Sequence, residues 1–214
     1  LSHAAALNRW RPSTAKIGGG IVRSMDAGHG SVYAATWGDG LFVSTDEAES
    51  WREAGLPGRS ALAVAVDPNV AGVIYAGTMD GLYLTRDDGG RWSRLDPVGV
   101  ARACVVDPTD SDVVYVGVDG VGVLRSGDGG VHWDIVGDAL RGLLIFGLDV
   151  DWEDSARVYA ATSDGIYLSD SRGDAWIPVG PLRARVTAVS VHPTDPNVAL
   201  ATGWGVGIYR TVDR

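Results

Sequence analysis

Four aspartates recur along the chain at intervals of about 40 residues, each close before a glycine: Asp39, Asp80, Asp119 and Asp164. Carboxylates gathered on one face can ring a channel mouth, though they would supply the two carboxylates about 5–10 Å apart that a glycosidase needs only by accident of geometry. They also suit a cation, or the chain's own cations: Arg59, Arg102, Arg141, Arg183 and Arg185 recur in matching segments. Trp37 and Trp204 adjoin the same turns, where exposed rings can stack on a sugar or grip a peptide side chain. A purely local account competes with this. Asp-Gly is a favoured hairpin turn, and the tryptophans suit packing between repeats. Trp37, Asp39, Asp80, Asp119, Asp164, Trp204, Arg59, Arg102 and Arg185 form the candidate ligand-binding set, with Phe146 expected near their centre.

A second pattern, S/T-x-D-x-G-x-x-W, is more regular. Thr85, Asp87, Gly89 and Trp92 complete it, and so do Ser126, Asp128, Gly130 and Trp133. Ser44, Asp46 and Trp51 keep it with Ala48 in the glycine position; Ser169, Gly173 and Trp176 keep it with Ser171 in the aspartate position. The side-chain oxygens can accept backbone N–H groups of their own turn. The glycine permits positive φ, and the indole packs under the turn. These boxes are therefore read as structural fasteners. Their tryptophans fall about 41 residues apart, the signature of a repeat architecture.

Each repeat holds four short β-rich segments. In the second, Ser60–Val66 and Val73–Thr78 precede a tight turn at Met79–Gly81, then Leu82–Thr85, the box, and Trp92–Leu95. Four strands in about 41 residues match one propeller blade. The expected fold is all-β, a single five-bladed propeller over residues 1–214. Its blades fall near 21–56, 59–97, 100–137, 143–180 and 185–214. Residues 8–12 are expected to supply the last blade's fourth strand, with Trp10 answering the half-box of Thr211 and Asp213. Such closure removes sheet edges.

The recurrent box resembles the Asp-box (BNR) repeat family, which includes sialidases, xyloglucan-degrading hydrolases, sortilin-type receptor domains and photosystem II assembly factors of the YCF48 type. The resemblance covers essentially the whole chain. It implies a propeller whose boxes lie away from the functional face, and it implies fold without fixing activity. It leans towards a secreted or cell-envelope location, which the composition leaves open.

With 18 basic against 27 acidic residues and a net charge of −9, the chain is ill-suited to nucleic acid or an anionic membrane surface. No apolar run is long enough for a membrane span, no cofactor or metal motif is present, and a monomer is expected. Cys104, the sole cysteine, lies in an inner strand and is expected to pack there. A sialidase-like site would need an arginine triad, a tyrosine nucleophile and an acid/base aspartate. The family's Arg-Ile-Pro motif is absent, and Tyr33, Tyr75, Tyr115 and Tyr159 occupy equivalent core positions. Glu47, Glu49, Glu53 and Glu153 map to boxes, fourth strands or the opposite face; His29, His132 and His192 map to the box face, and His3 to a tail. The expected function is a non-catalytic binding or scaffold propeller presenting one face to a protein or glycan partner. The alternative is a sialidase-like glycoside hydrolase relative with a reduced or unrecognised active site. An assembly-factor role is less favoured, since no arginine-rich patch is evident.

Overall fold

The computed structural model describes residues 17, 20–96, 99–180, 184–205 and 207–212. They form an all-β, five-bladed propeller. Blade one pairs Ile21–Gly28, Ser31–Trp37, Gly40–Ser44 and Arg52–Gly55 in that order; blade two pairs Ala61–Val66, Ile74–Thr78, Gly81–Thr85 and Ser93–Leu95. Blade three pairs Ala101–Asp107, Asp110–Val118, Gly122–Ser126 and Asp134–Ile135; blade four pairs Ile145–Val150, Val158–Thr162, Gly165–Ser169 and Ile177–Val179. Blade five contributes Val186–Val191, Ala199–Gly203 and Gly207–Thr211 among the described residues. Trp10, Asp213, Arg183, His3 and the strand expected at 8–12 lie outside the described residues.

Every pairing is antiparallel, and the first strands of successive blades lie side by side around a channel. The second and third strands of blade two are wholly buried, as in blade four. Small residues such as Ala34, Ala76 and Ala160 let the sheets approach, while Leu, Ile and Tyr fill the gaps between them. At about 25 cal/mol per Å² of apolar surface removed from water, these interfaces are the main source of stability.

The boxes fasten one blade to the one before. Ser44, Thr85, Ser126 and Ser169 each accept, through the side-chain oxygen, the N–H four residues on, at 2.9, 3.1, 2.9 and 2.9 Å. Asp46, Asp87 and Asp128 accept the next N–H of the turn at 2.8–2.9 Å. Ser171 fills the missing aspartate's role, its Oγ accepting the Ala175 N–H at 3.0 Å. Trp92, Trp133 and Trp176 all pack into the neighbouring core. From the other side, buried tyrosines reach forward into the next box: Tyr33 donates to Asp88, Tyr75 to the Gly129 carbonyl and Tyr115 to the Arg172 carbonyl. These tyrosines act as inter-blade bolts.

Candidate functional site

The inner strands all carry the same irregularity. Register breaks between Val22 and Ser24, Ala61 and Ala63, Ile145 and Gly147, and Val186 and Ala188. In blade three, Gly117 and Val118 pair with Ala103 and Ala101, leaving Arg102 over. A β-bulge of this kind adds one unpaired residue, bends the strand and re-aims a side chain. The five extra residues are Arg23, Leu62, Arg102, Phe146 and Thr187. All five line a single cavity of about 420 Å³ at the channel mouth, together with Arg185 and Trp204.

This mouth lies on the face of the second-to-third-strand turns. Backbone bonds tie each turn to the connection entering its blade: Met79 to Ser60, Asp119 to Val100, Ser163 to Leu144 and Trp204 to Arg185, at 2.9–3.1 Å. The boxes occupy the opposite end with the loops that leave the inner strands, where the Asp88 N–H meets the Gly72 carbonyl and the Gly129 N–H meets the Asp112 carbonyl.

Phe146 is the hub of the mouth. The Arg185 guanidinium lies 4.5 Å from its ring centroid and the Arg102 guanidinium 5.7 Å, while Arg185 also stands 6.0 Å from the Trp204 ring. Arg102 grips Asp119 through both Nε and Nη2, and that fork raises the arginine's already high pKa. Among the described residues no carboxylate pairs with Arg23 or Arg185. Trp204 is 81% exposed.

The other expected site residues do not converge there. Asp80 is bound by Arg59, Thr78 and Tyr83, with the Arg59 guanidinium 5.0 Å above the Tyr83 ring. Burial alone would raise Asp80, but those hydrogen bonds outweigh it and hold its carboxyl below the usual range. Asp164 is the hydrogen-bond partner of Tyr167, whose hydroxyl is raised by burial and by that carboxylate. Asp39 and Trp37 belong to the blade-one turn and do not line the mouth cavity; Trp37 is nonetheless exposed. Arg141 pairs with Asp138 at 2.6 Å.

Below the mouth, a channel cavity of about 480 Å³ is lined by two carboxylates outside the expected set, Asp26 and Asp149. Asp149 is pushed up to about 6, chiefly by burial, with a smaller push from Asp26; Asp26 is also raised by burial. Each accepts a backbone N–H from the next blade at 2.8 Å, Val66 for Asp26 and Val191 for Asp149. The missed signal was positional. These aspartates hold the inner-strand position filled by Ala65 and Val105 in blades two and three. Cys104 also faces this channel, its thiol pushed up to about 12 by burial. Among the described residues no group of three His, Cys, Asp or Glu is placed to hold a metal, and no helix is long and apolar enough to cross a membrane.

No family model matches this chain. Among curated proteins it is 26% identical over 152 residues to an oligoxyloglucan-reducing end-specific xyloglucanase of Emericella nidulans, covering 66% of this chain and 17% of that enzyme. It is 24% identical over 215 residues to xyloglucanase Xgh74A of Acetivibrio thermocellus, covering 76% and 26%. The chain thus spans about a quarter or less of these relatives. Among solved structures, the Niastella koreensis GH74 enzyme superposes with a TM-score of 0.74 at 17% identity, over 90% of this chain and 36% of that one. YCF48 from Cyanidioschyzon merolae superposes at 0.66 and 13% identity, over 91% and 67%. A second YCF48 structure holds a D1 peptide. These neighbours establish the propeller fold. The curated relatives overturn the expectation of a non-catalytic binding or scaffold module, since they are xyloglucanases. They also replace the sialidase likeness with a xyloglucanase one. They favour the alternative, a glycoside hydrolase relative, over the binding module; the boxes alone do not decide between the two because they are fold-making residues shared across propellers of different activity.

Proposed function

We propose that this propeller works in a glycoside hydrolase acting on a xyloglucan-type β-glucan, with the turn-bearing face against the glycan. The observation that carries the reading is the similarity to xyloglucanases over half to three-quarters of the chain. The face agrees with it chemically. It offers exposed indoles at Trp37 and Trp204, apolar plates for the C–H faces of sugar rings. It also carries Asp39 and Asp164, the two rim aspartates outside any ion pair among the described residues. These are the carboxylates of choice for acid and base roles. Asp80 and Asp119 are committed to Arg59 and Arg102. The repeat itself is assigned to the Asp-box class on its four boxes, and the chain is taken to work as a monomer. Electrophoresis of the chain through a gel containing xyloglucan should retard it, and Trp37→Ala with Trp204→Ala should restore its mobility. Unretarded migration of the unmodified chain would count against the reading.

A further inference from the structure

The ring of five bulges has a chemistry of its own. Among the described residues its mouth is lined by three arginines and no carboxylate, on a chain whose net charge is −9. Asp119 is already consumed by the fork of Arg102. Arg23 and Arg185 come from blades at opposite ends of the sequence, yet they line the same cavity. Like charges converging on a half-enclosed cavity repel one another at a lowered effective dielectric. The arrangement becomes favourable when an anion enters. We propose that the mouth is a binding site for a carboxylate-bearing saccharide, a hexuronate unit, whose carboxylate is held by Arg23 and Arg185 and whose ring lies on Trp204.

Arginine suits this better than lysine would. Its planar fork matches a carboxylate with two parallel N–H bonds, and stacking on an aromatic occupies its face while leaving its N–H edge available. Arg185 is stacked in this way, 4.5 Å from the Phe146 ring and 6.0 Å from Trp204. Trp204 keeps 81% of its surface exposed, so one broad ring remains for a ligand. Thr187 donates its hydroxyl proton to the Thr202 carbonyl at 3.2 Å, which leaves its oxygen able to accept from a sugar hydroxyl. Leu62 completes an apolar patch in the wall. About 420 Å³ falls within the usual range of small-ligand sites. The channel below sets the depth. Asp26 and Asp149 line it, and they repel an anion that would pass beyond the arginines. The carboxylate part of the proposal stands on the mouth geometry alone. The choice of a saccharide rests on the proposed glycan reading, and xyloglucan is not the probe here.

The experiment is calorimetric titration of the 214-residue chain with trigalacturonate and with its methyl ester, which keeps the rings and masks the charge. The acid should bind, the ester at least about tenfold more weakly, and affinity for the acid should fall as salt is raised. Arg185→Gln and Arg23→Gln, both at exposed positions, should each weaken the acid by about tenfold and leave the ester unchanged. Trp204→Ala should weaken both. Melting curves of the variants, superimposable on the unmodified chain, keep the comparison free of folding effects. Equal binding of acid and ester, no binding of the acid, or an affinity indifferent to both arginine variants would overturn the proposal. So would tighter binding of an oligoglutamate peptide than of trigalacturonate, which would give the mouth to an acidic peptide. Xyloglucan cleavage without uronate binding would sink this proposal and leave the proposed function standing; the converse result would do the reverse.

Discussion

Asp149 accepts the backbone N–H of Val191 through Oδ2 at 2.8 Å and so ties the inner strand of blade four to that of blade five. Asp26 makes the same link from blade one to blade two. Burial raises both carboxyls, Asp149 to about 6. Between pH 4 and 6 the folded chain keeps a proton on Asp149 that the unfolded chain releases. Stability from this group is therefore full below about pH 4 and is lost as pH rises through 6. Asp149→Asn keeps an oxygen for Val191 and removes the titration. Its melting temperature should gain on the unmodified chain between pH 4 and 6 and hold a constant lead above that. A difference that does not vary with pH would show that Asp149 titrates normally.

The first box tests the glycine rule from both sides. Ala48 adopts φ 67°, while its counterparts Gly89, Gly130 and Gly173 lie at 93°, 94° and 92°. Ala48→Gly should stabilise by about 0.5–1 kcal/mol in a urea titration, because a Cβ is strained there. Gly89→Ala should cost several times as much, since its Cβ would fall 2.3 Å from the Ala54 carbonyl oxygen.

Two box tryptophans should respond differently to the same change. Trp92 donates its indole N–H to the Ala54 carbonyl at 2.9 Å, whereas the buried Trp176 Nε1 has no acceptor among the described residues. Trp92→Phe gives up a hydrogen bond, about 1 kcal/mol, that Trp176→Phe does not. Denaturant titrations of the two variants should show Trp92→Phe as the costlier once the ring-volume loss common to both is set aside. The reverse order would mean that the indole bond contributes little.

Cys104 should be inert in the folded chain. Burial pushes its thiol up to about 12, so thiolate is scarce at pH 8. A chromogenic disulfide should react with it slowly in buffer and fast in denaturant. Equal rates in both would show an exposed thiol.

The repeat made the architecture legible in the sequence. A tryptophan about every 41 residues and a short apolar second strand in each unit leave few folds to choose from. Even Ser171, a departure from the box, keeps the bond to the Ala175 N–H that the pattern requires. The site was only half legible. Arg102, Arg185, Trp204 and Phe146 are expected on one face from their position relative to the turns, and there they meet. Arg23 and Thr187 were missed because a bulge leaves no mark in composition; it shows only when the register of paired strands is known. Sequence position groups the rim aspartates as one set, yet local partners divide them. Asp80 and Asp119 are tied to arginines, and Asp39 and Asp164 are not.

Release of reducing ends from xyloglucan by the purified chain tests the hydrolase reading most directly. The account predicts measurable release that Asp39→Asn or Asp164→Asn lowers by at least about a hundredfold, the scale of a lost general acid or base, while the melting temperature stays unchanged. No release above the buffer blank, or release that survives both substitutions together, would contradict it.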